Sequence, residues 1–289
     1  MPSRRAFVRG ALAVAGAAAV GPGAWAQPGA SALPLDNLGL EHFDTVVPDP
    51  AASARFYAQL FKTALHQQPL RDTLRYFVLL GDLPADRQVG YIAIGAAQGR
   101  PTAIGHYCTL AKVYDREGMV RALDAAGLPA ARAAGPLAMW PDPDGLQLQL
   151  FQPPAGLVTA AVPSPLPVER AGVVAPRGLD HVLLQVSDLD RSLPYYRAVY
   201  GRGAEGPREG SPARVWFRLA RETRIGLENA SGGTPRIAHF AIKVAPFDRA
   251  TVVARVQQLG AKVLPSPDEP DVLRFQDPDG IVGELRVSS

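Results

Sequence analysis

Three side chains far apart in the chain are of the types that hold a divalent metal: His181, His239 and Glu284. Each stands inside a short apolar run: GLDHVLLQV for His181, RIAHFAIKV for His239 and DPDGIVGEL (Asp277 to Leu285) for Glu284. Runs of this kind read as strands, and a period of two puts Val282 and Glu284 on one face. A carboxylate on the inner face of a sheet is costly to bury unless a cation meets it. Two imidazoles and one carboxylate form a common ligand set for iron, manganese or zinc. The plainer alternative is that Glu284 pairs with an arginine while both histidines are satisfied core residues. Asp277 and Asp279 belong to another chemistry. They recur as Asp142 and Asp144 in a second DPDG. Such stretches make turns in which the aspartates accept from local backbone N–H groups and the glycine takes a positive φ.

The elements that must position these residues come twice. LGLEHFDTVVPDPAASARFYAQLF (38–61) matches RGLDHVLLQVSDLDRSLPYYRAVY (177–200) at an offset of 139 residues. AIGHYCTLAKVYDREGMVRALDAAG (103–127) matches RIAHFAIKVAPFDRATVVARVQQLG (236–260) at 133, and DPDGLQLQL (142–150) matches DPDGIVGEL at 135. Order is kept and the offset drifts only between matched pieces, as a duplication with differing loops requires. In the first copy a strand over about 39–47 ends at Pro48, and Asp49 caps a helix with Pro50 at its first position. That helix runs to about Phe61, with Phe56, Leu60 and Phe61 on its apolar side. Strands follow near 74–80 and 88–94, then a strand from Ile104 to Val113, a helix to Ala126 stopped by Gly127, and short strands to Phe151. The second copy predicts helices over about 189–200, capped by Asp188, and 247–259. The fold class is therefore α+β, with two tandem modules, 37–153 and 177–289, each a pair of βαβββ units. Between them, 154–176 is proline-rich, poor in charge and without periodicity, and reads as a semi-rigid linker.

Composition narrows the field. The chain of 289 residues is 47% hydrophobic and 20% charged, an ordinary folded protein with ample core. Its net charge of +3 comes wholly from Arg4, Arg5 and Arg9, so without its first 26 residues the chain is neutral. No basic run remains, which argues against nucleic acid as a partner. Residues 1–26 read as an export signal. Ser3-Arg4-Arg5-Ala6-Phe7-Val8-Arg9 resembles the twin-arginine motif, an Ala/Gly-rich apolar run extends to about Val20, and Ala24-Trp25-Ala26 offers a small-x-small cleavage site before Gln27. The run is too short and too weakly apolar for stable membrane insertion. The expected partner is the twin-arginine export machinery, and the expected location is periplasmic or secreted. The single cysteine, Cys108, permits no internal disulfide and reads as a small core filler.

The combined pattern resembles the vicinal oxygen chelate superfamily, which includes glyoxalases, extradiol dioxygenases and bleomycin-resistance proteins. The resemblance is carried by GLDH opening a strand, the DLDRSLPYYRAVYG helix, the HFAIKV strand and DPDGIVGEL, and it covers both copies. It implies that each module curls its strands into an open, barrel-like cleft. It also implies ligands at His181, His239 and Glu284 in the second module, with a weaker site at His42, His106 and Gln149 in the first. A neutral amide oxygen is a poorer ligand for a dication than a carboxylate. By internal symmetry TRIGLENA takes the place of DPDGIVGELR, so Glu228 is expected to face the cleft as a fourth ligand or general base; the alternative is a surface strand-end glutamate. The matching first-module strand, VGYIAIGA, has no acid.

The implied cofactor is a divalent ion (iron, manganese, zinc or nickel) and the implied partner a small oxygen-rich substrate chelated through neighbouring oxygens. Dioxygenases of this superfamily carry a further histidine and tyrosine in their later strands. Neither follows His239 here, which ranks ring cleavage below glyoxalase-type chemistry, with Tyr195, Tyr196 and Trp216 left as aromatic candidates for the cleft. A different class of answer is a metal-free binding protein of bleomycin-resistance type. Trp140, Phe275, Trp216 and Phe217 would then wall the ligand.

Overall fold

The computed structural model describes residues 32–70, 72–81, 90–128, 138–153, 161–169, 171–205, 214–266 and 271–288. The export signal at 1–26 and residues 154–160 of the expected linker lie outside them. The first half runs β1 (Asn37–Val47), α1 (Pro50–Leu60), β2 (Leu65–Leu70), β3 (Thr73–Leu79), β4 (Tyr91–Ala96), β5 (Ala103–Ala111), α2 (Arg116–Ala125), β6 (Ala138–Pro141) and β7 (Gln147–Phe151), followed by β8 (Val162–Pro163). The second runs β9 (Pro176–Val186), α3 (Leu189–Tyr200), β10 (Ala204–Glu205), β11 (Arg214–Arg218), β12 (Arg224–Asn229), β13 (Arg236–Val244), α4 (Arg249–Gln258), β14 (Lys262–Leu264), β15 (Val272–Gln276) and β16 (Val282–Val287). No described helix is long and apolar enough to cross a membrane.

The helices begin where the sequence asks them to. Asp49 accepts from the N–H groups of Ala51 and Ala52, with Pro50 at the first position, and Asp188 accepts from Asp190 and Arg191. Helix α3 ends at Gly201, whose φ of 80° suits a residue without Cβ.

Strand pairing follows one pattern in both halves. β1 lies parallel to β4 and antiparallel to β5, and β5 lies parallel to β7. In the second half β9 lies parallel to β12 and antiparallel to β13, and β13 lies parallel to β16. β5 and β13 meet antiparallel at Ile104 and Ile237, so one sheet runs through both halves. One face of the second-half strands carries Val182, Leu184, Phe217, Leu227, Phe240 and Phe275, all in a hydrophobic core that also draws on the first half. The opposite face carries His181, Glu284 and the polar side chains around them.

The halves are joined by more than the sheet. Phe43 stacks on Phe240 at 4.2 Å between ring centroids. The Tyr57 hydroxyl on α1 donates to Asp277 Oδ2 at 2.7 Å, and the Tyr196 hydroxyl on α3 donates to Asp142 Oδ2 at 2.8 Å. Each helix thus reaches the DPDG turn of the other half.

Two features differ from the sequence expectation. β2, HQQPL-like and polar with Pro69 near its end, lacks the alternation of a half-buried strand and was not anticipated; its place near the sheet edge tolerates the proline. The described part of the expected linker is built into the fold. Val162 and Pro163 pair with Gln67 and His66, and Val174 bridges to Phe61.

Candidate metal centre

β9 supplies His181, β13 supplies His239 and β16 supplies Glu284. The register brings them together: Ala241, two residues beyond His239, lies opposite His181 on one side and beside Glu284 on the other. His181 Nε2 and His239 Nε2 are 3.0 Å apart. Glu284 Oε2 is 3.8 Å from His181 Nε2, and its Oε1 is 3.5 Å from His239 Nε2. Ligands held about 2.1 Å from one ion at right angles stand about 3 Å from each other, so this donor set fits a single dication. The three residues are 2, 3 and 5% exposed, so the donors are shielded from bulk solvent.

The surroundings orient His181, whereas His239 Nδ1 is buried without a hydrogen-bond partner among the described residues. Asp180 Oδ1 lies 2.5 Å from His181 Nδ1, and Arg224 holds Asp180 through Nη2 at 3.0 Å and Nε at 3.2 Å. A carboxylate on Nδ1 fixes the proton there and turns the Nε2 lone pair to the site. Burial would raise the Asp180 carboxyl, but His181 and Arg224 outweigh it and bring its pKa down to about 2. Burial lowers His181, and burial together with the charges of His181, Arg274, Arg214 and Arg286 lowers His239 well below its ordinary value. Both rings are therefore neutral at neutral pH, as metal ligation requires. Glu284 also meets arginines, Arg286 Nη1 at 3.3 Å and Arg274 Nε at 3.7 Å. The plainer alternative is thus partly true of the same carboxylate.

The first-half set converges as well. His42 Nε2 lies 3.1 Å from His106 Nε2, which lies 3.1 Å from Gln149 Oε1. Glu41 stands on His42 Nδ1 at 3.0 Å, and Asp44, itself held by Arg75, stands 3.5 Å from His106 Nδ1. What differs is the space above. Tyr91 stacks on His42 at 4.5 Å, and Phe77, Leu79, Tyr91, Ala93 and Ala161 form a separate buried apolar cluster on that side. Cys108 lies beside Glu41 and His42, but burial, then the Glu41 charge, push its thiol well up, so it stays protonated as a core filler.

Glu228 is not brought to the three ligands. It shares their face, but the register sets it opposite Gln185 and Arg214. Gln185 donates to it at 2.9 Å and Arg214 Nε at 3.0 Å. Glu284 lies beside the residue two beyond His239. The matching place on β12, beside Leu183, which is two beyond His181, belongs to Gly226, two residues short of Glu228. Among the aromatic candidates only Trp216 stands beside the three donors, 5.0 Å from His181 between ring centroids. Tyr195 and Tyr196 are buried in the core. The aromatic walls expected of a binding protein are likewise corrected: Trp140, Phe217 and Phe275 are 0–1% exposed within the core, because strand alternation points them under the helices. Sequence reasoning missed Arg214, Arg224, Arg274 and Arg286. Period-two reading of RVWFR, RIGLEN, VLRFQ and VGELRV would have put them on the face of Glu284.

Residues 181–285 match the family model of a glyoxalase-like domain. Among solved structures the fold is similar to a catechol 2,3-dioxygenase (TM-score 0.63, 17% identity, 88% of this chain and 89% of that one). It is also similar to the 2,3-dioxygenase LapB from Pseudomonas sp. KL28 (TM-score 0.61, 16% identity, 89% and 94%). A third match is the Mn(II)-bound glyoxalase from Novosphingobium aromaticivorans (TM-score 0.60, 17% identity, 88% and 83%). At such identities the structures speak for the fold. It is an α+β fold shared with these dioxygenases and this glyoxalase, and the glyoxalase-like match lies over the half that holds the three candidate ligands.

Proposed function

We propose that the chain is an exported, metal-dependent enzyme of glyoxalase or dioxygenase type. Its second half, 177–289, would hold one divalent ion through His181, His239 and Glu284 and act on a small substrate offering two neighbouring oxygens. The observation that carries this reading is the convergence of three buried donors from three strands. The likeness of its fold to a catechol 2,3-dioxygenase and to a Mn(II)-bound glyoxalase supports it. When bound, such a metal supplies Lewis acidity to adjacent substrate oxygens, and iron supplies a route to dioxygen as well.

The chain's own residues prepare the place. Asp180 keeps the His181 proton on Nδ1, burial keeps both imidazoles neutral, and Glu284 contributes the one carboxylate. With the three donors on one side, the cleft side is left for substrate, and Trp216 forms an apolar wall there. Glu228, paired with Arg214, fixes that guanidinium in this reading rather than taking a proton. The described residues of this face include no further histidine and no tyrosine, which favours glyoxalase-type proton chemistry over ring cleavage.

Metal analysis of protein purified without chelator tests the proposal. About one divalent ion per chain is expected, lost in His239→Ala and in Glu284→Ala and kept in His106→Ala. Metal that survives both second-half substitutions overturns the reading. Export rests on Arg4, Arg5 and the Ala24-Trp25-Ala26 pattern. The mature protein is expected to begin at Gln27 by intact mass, and an Arg4→Lys/Arg5→Lys variant is expected to remain uncleaved in the cytoplasm.

A further inference from the structure

Among the described residues, four guanidinium groups stand around the proposed ligands: Arg214 on β11, Arg224 on β12, Arg274 on β15 and Arg286 on β16. The register fixes their side. Arg224 lies opposite His181, Arg274 opposite Glu284, and Arg214 opposite Glu228, while Arg286 follows Glu284 by two residues. Two of the four are matched one to one, Arg214 with Glu228 and Arg224 with Asp180. Among the described residues Arg274 has no acid of its own: its Nε lies 3.7 Å from Glu284 Oε1 without a hydrogen-bond partner, and its side chain is 34% exposed. The carboxylate it approaches is the one already assigned to the metal. Arg274 and a dication together bring three positive charges to the single negative charge of Glu284, a surplus of two, even with Arg286 left aside.

Beside this surplus stands a flat apolar wall. The Trp216 ring lies 4.6 Å from the Arg224 guanidinium carbon and 5.7 Å from that of Arg214. A guanidinium offers a carboxylate two parallel N–H groups in one plane, a match that a neutral hydroxyl cannot use fully. The first half shows the contrast. There the arginine on the corresponding face, Arg75, is tied to Asp44, and Tyr91 stacks on His42.

We infer that the substrate is an anion: a small, flat organic acid whose carboxylate is held by Arg274 while its neighbouring oxygens face the metal ligands. This rests on the metal reading proposed above. The test uses two probes that share a chelating pair of hydroxyls and differ by one carboxylate, catechol and 3,4-dihydroxybenzoate. Each is titrated calorimetrically into the full mature protein loaded with Mn2+, or with Fe2+, Zn2+ or Ni2+ where Mn2+ is not taken up, and metal content is measured on the same samples. The acid is expected to bind at least tenfold more tightly than catechol to the unmodified protein. That ratio is expected to fall towards one in Arg274→Gln and to recover in part in Arg274→Lys. Bound metal with no preference for the acid, or a preference untouched by Arg274→Gln, overturns this inference alone. A protein that takes up none of Mn2+, Fe2+, Zn2+ and Ni2+ overturns the metal reading and this inference with it.

Discussion

At the scale of single residues, Asp277 shows how one side chain serves two levels of structure. Its Oδ1 accepts from the N–H groups of Asp279 and Ile281, closing the turn, while Oδ2 accepts from Tyr57 in the other half. The turn role is legible in DPDG. The tyrosine is not, because it lies 220 residues away. Burial raises the Asp277 carboxyl to about 6, against the pull of Tyr57 and the two N–H groups. A raised carboxyl makes the folded state the tighter proton binder. Its contribution is therefore fully present below the ordinary value near 3.8 and lost as pH rises through about 6. At roughly 1.36 kcal/mol per pH unit the loss is of the order of 3 kcal/mol. Asp277→Asn keeps an amide oxygen for the two N–H groups and removes the titration. Urea unfolding of both proteins from pH 4 to 7 is expected to show the unmodified protein losing ground steadily to the variant. Parallel curves would refute the assignment.

At the scale of elements, alternation decides what each strand can do, and β16 shows both faces at once. Glu284 faces the cleft, whereas Gly283 faces the core, where a Cβ would stand 2.6 Å from Phe240 Cζ and 2.7 Å from Phe275 Cζ. Those rings meet edge to face over the glycine, 6.4 Å between centroids. Gly283→Ala is expected to cost about 1–3 kcal/mol by overpacking and, by displacing the strand, to weaken metal binding at the neighbouring Glu284. Calorimetric melting with metal analysis checks both, and an unchanged melting temperature would mean that the rings yield freely. The three converging residues could be picked out in sequence because each sits in an apolar run of clear period. Glu228 stands two residues from the expected place because residue type and repeat position do not fix register. The β9–β13 ladder carries a shift between Ile237 and His239 that no pattern announces. The edge pairing of β8 with polar β2 was hidden for a related reason. Neither strand alternates, and the contact joins residues about a hundred positions apart.

At the scale of the whole molecule, the repeat in the sequence suggests two separable modules, yet the packing makes each half complete the other. Phe240 of the second half lies under Phe43 and beside Tyr57 of the first, and Phe275 lies near Phe56. Exposing a buried phenylalanine loses roughly 1.5–3 kcal/mol, and whole domains are stable by only about 5–15 kcal/mol. Residues 177–289 expressed alone would expose Phe240 and Phe275 and lose the Tyr57–Asp277 bond as well. The chain itself indicates the remedy. Tyr196 already reaches a DPDG aspartate, Asp142, so a pair of second halves in which Tyr196 of one copy bonded Asp277 of the other would replace the lost contact. The isolated second half is therefore expected to be a dimer or to aggregate, and to become soluble and heterodimeric when residues 32–169 are coexpressed. Sedimentation equilibrium at micromolar concentration decides the matter. A cooperatively folded monomer of 177–289 would show that the shared core is dispensable and that the two halves are independent domains after all.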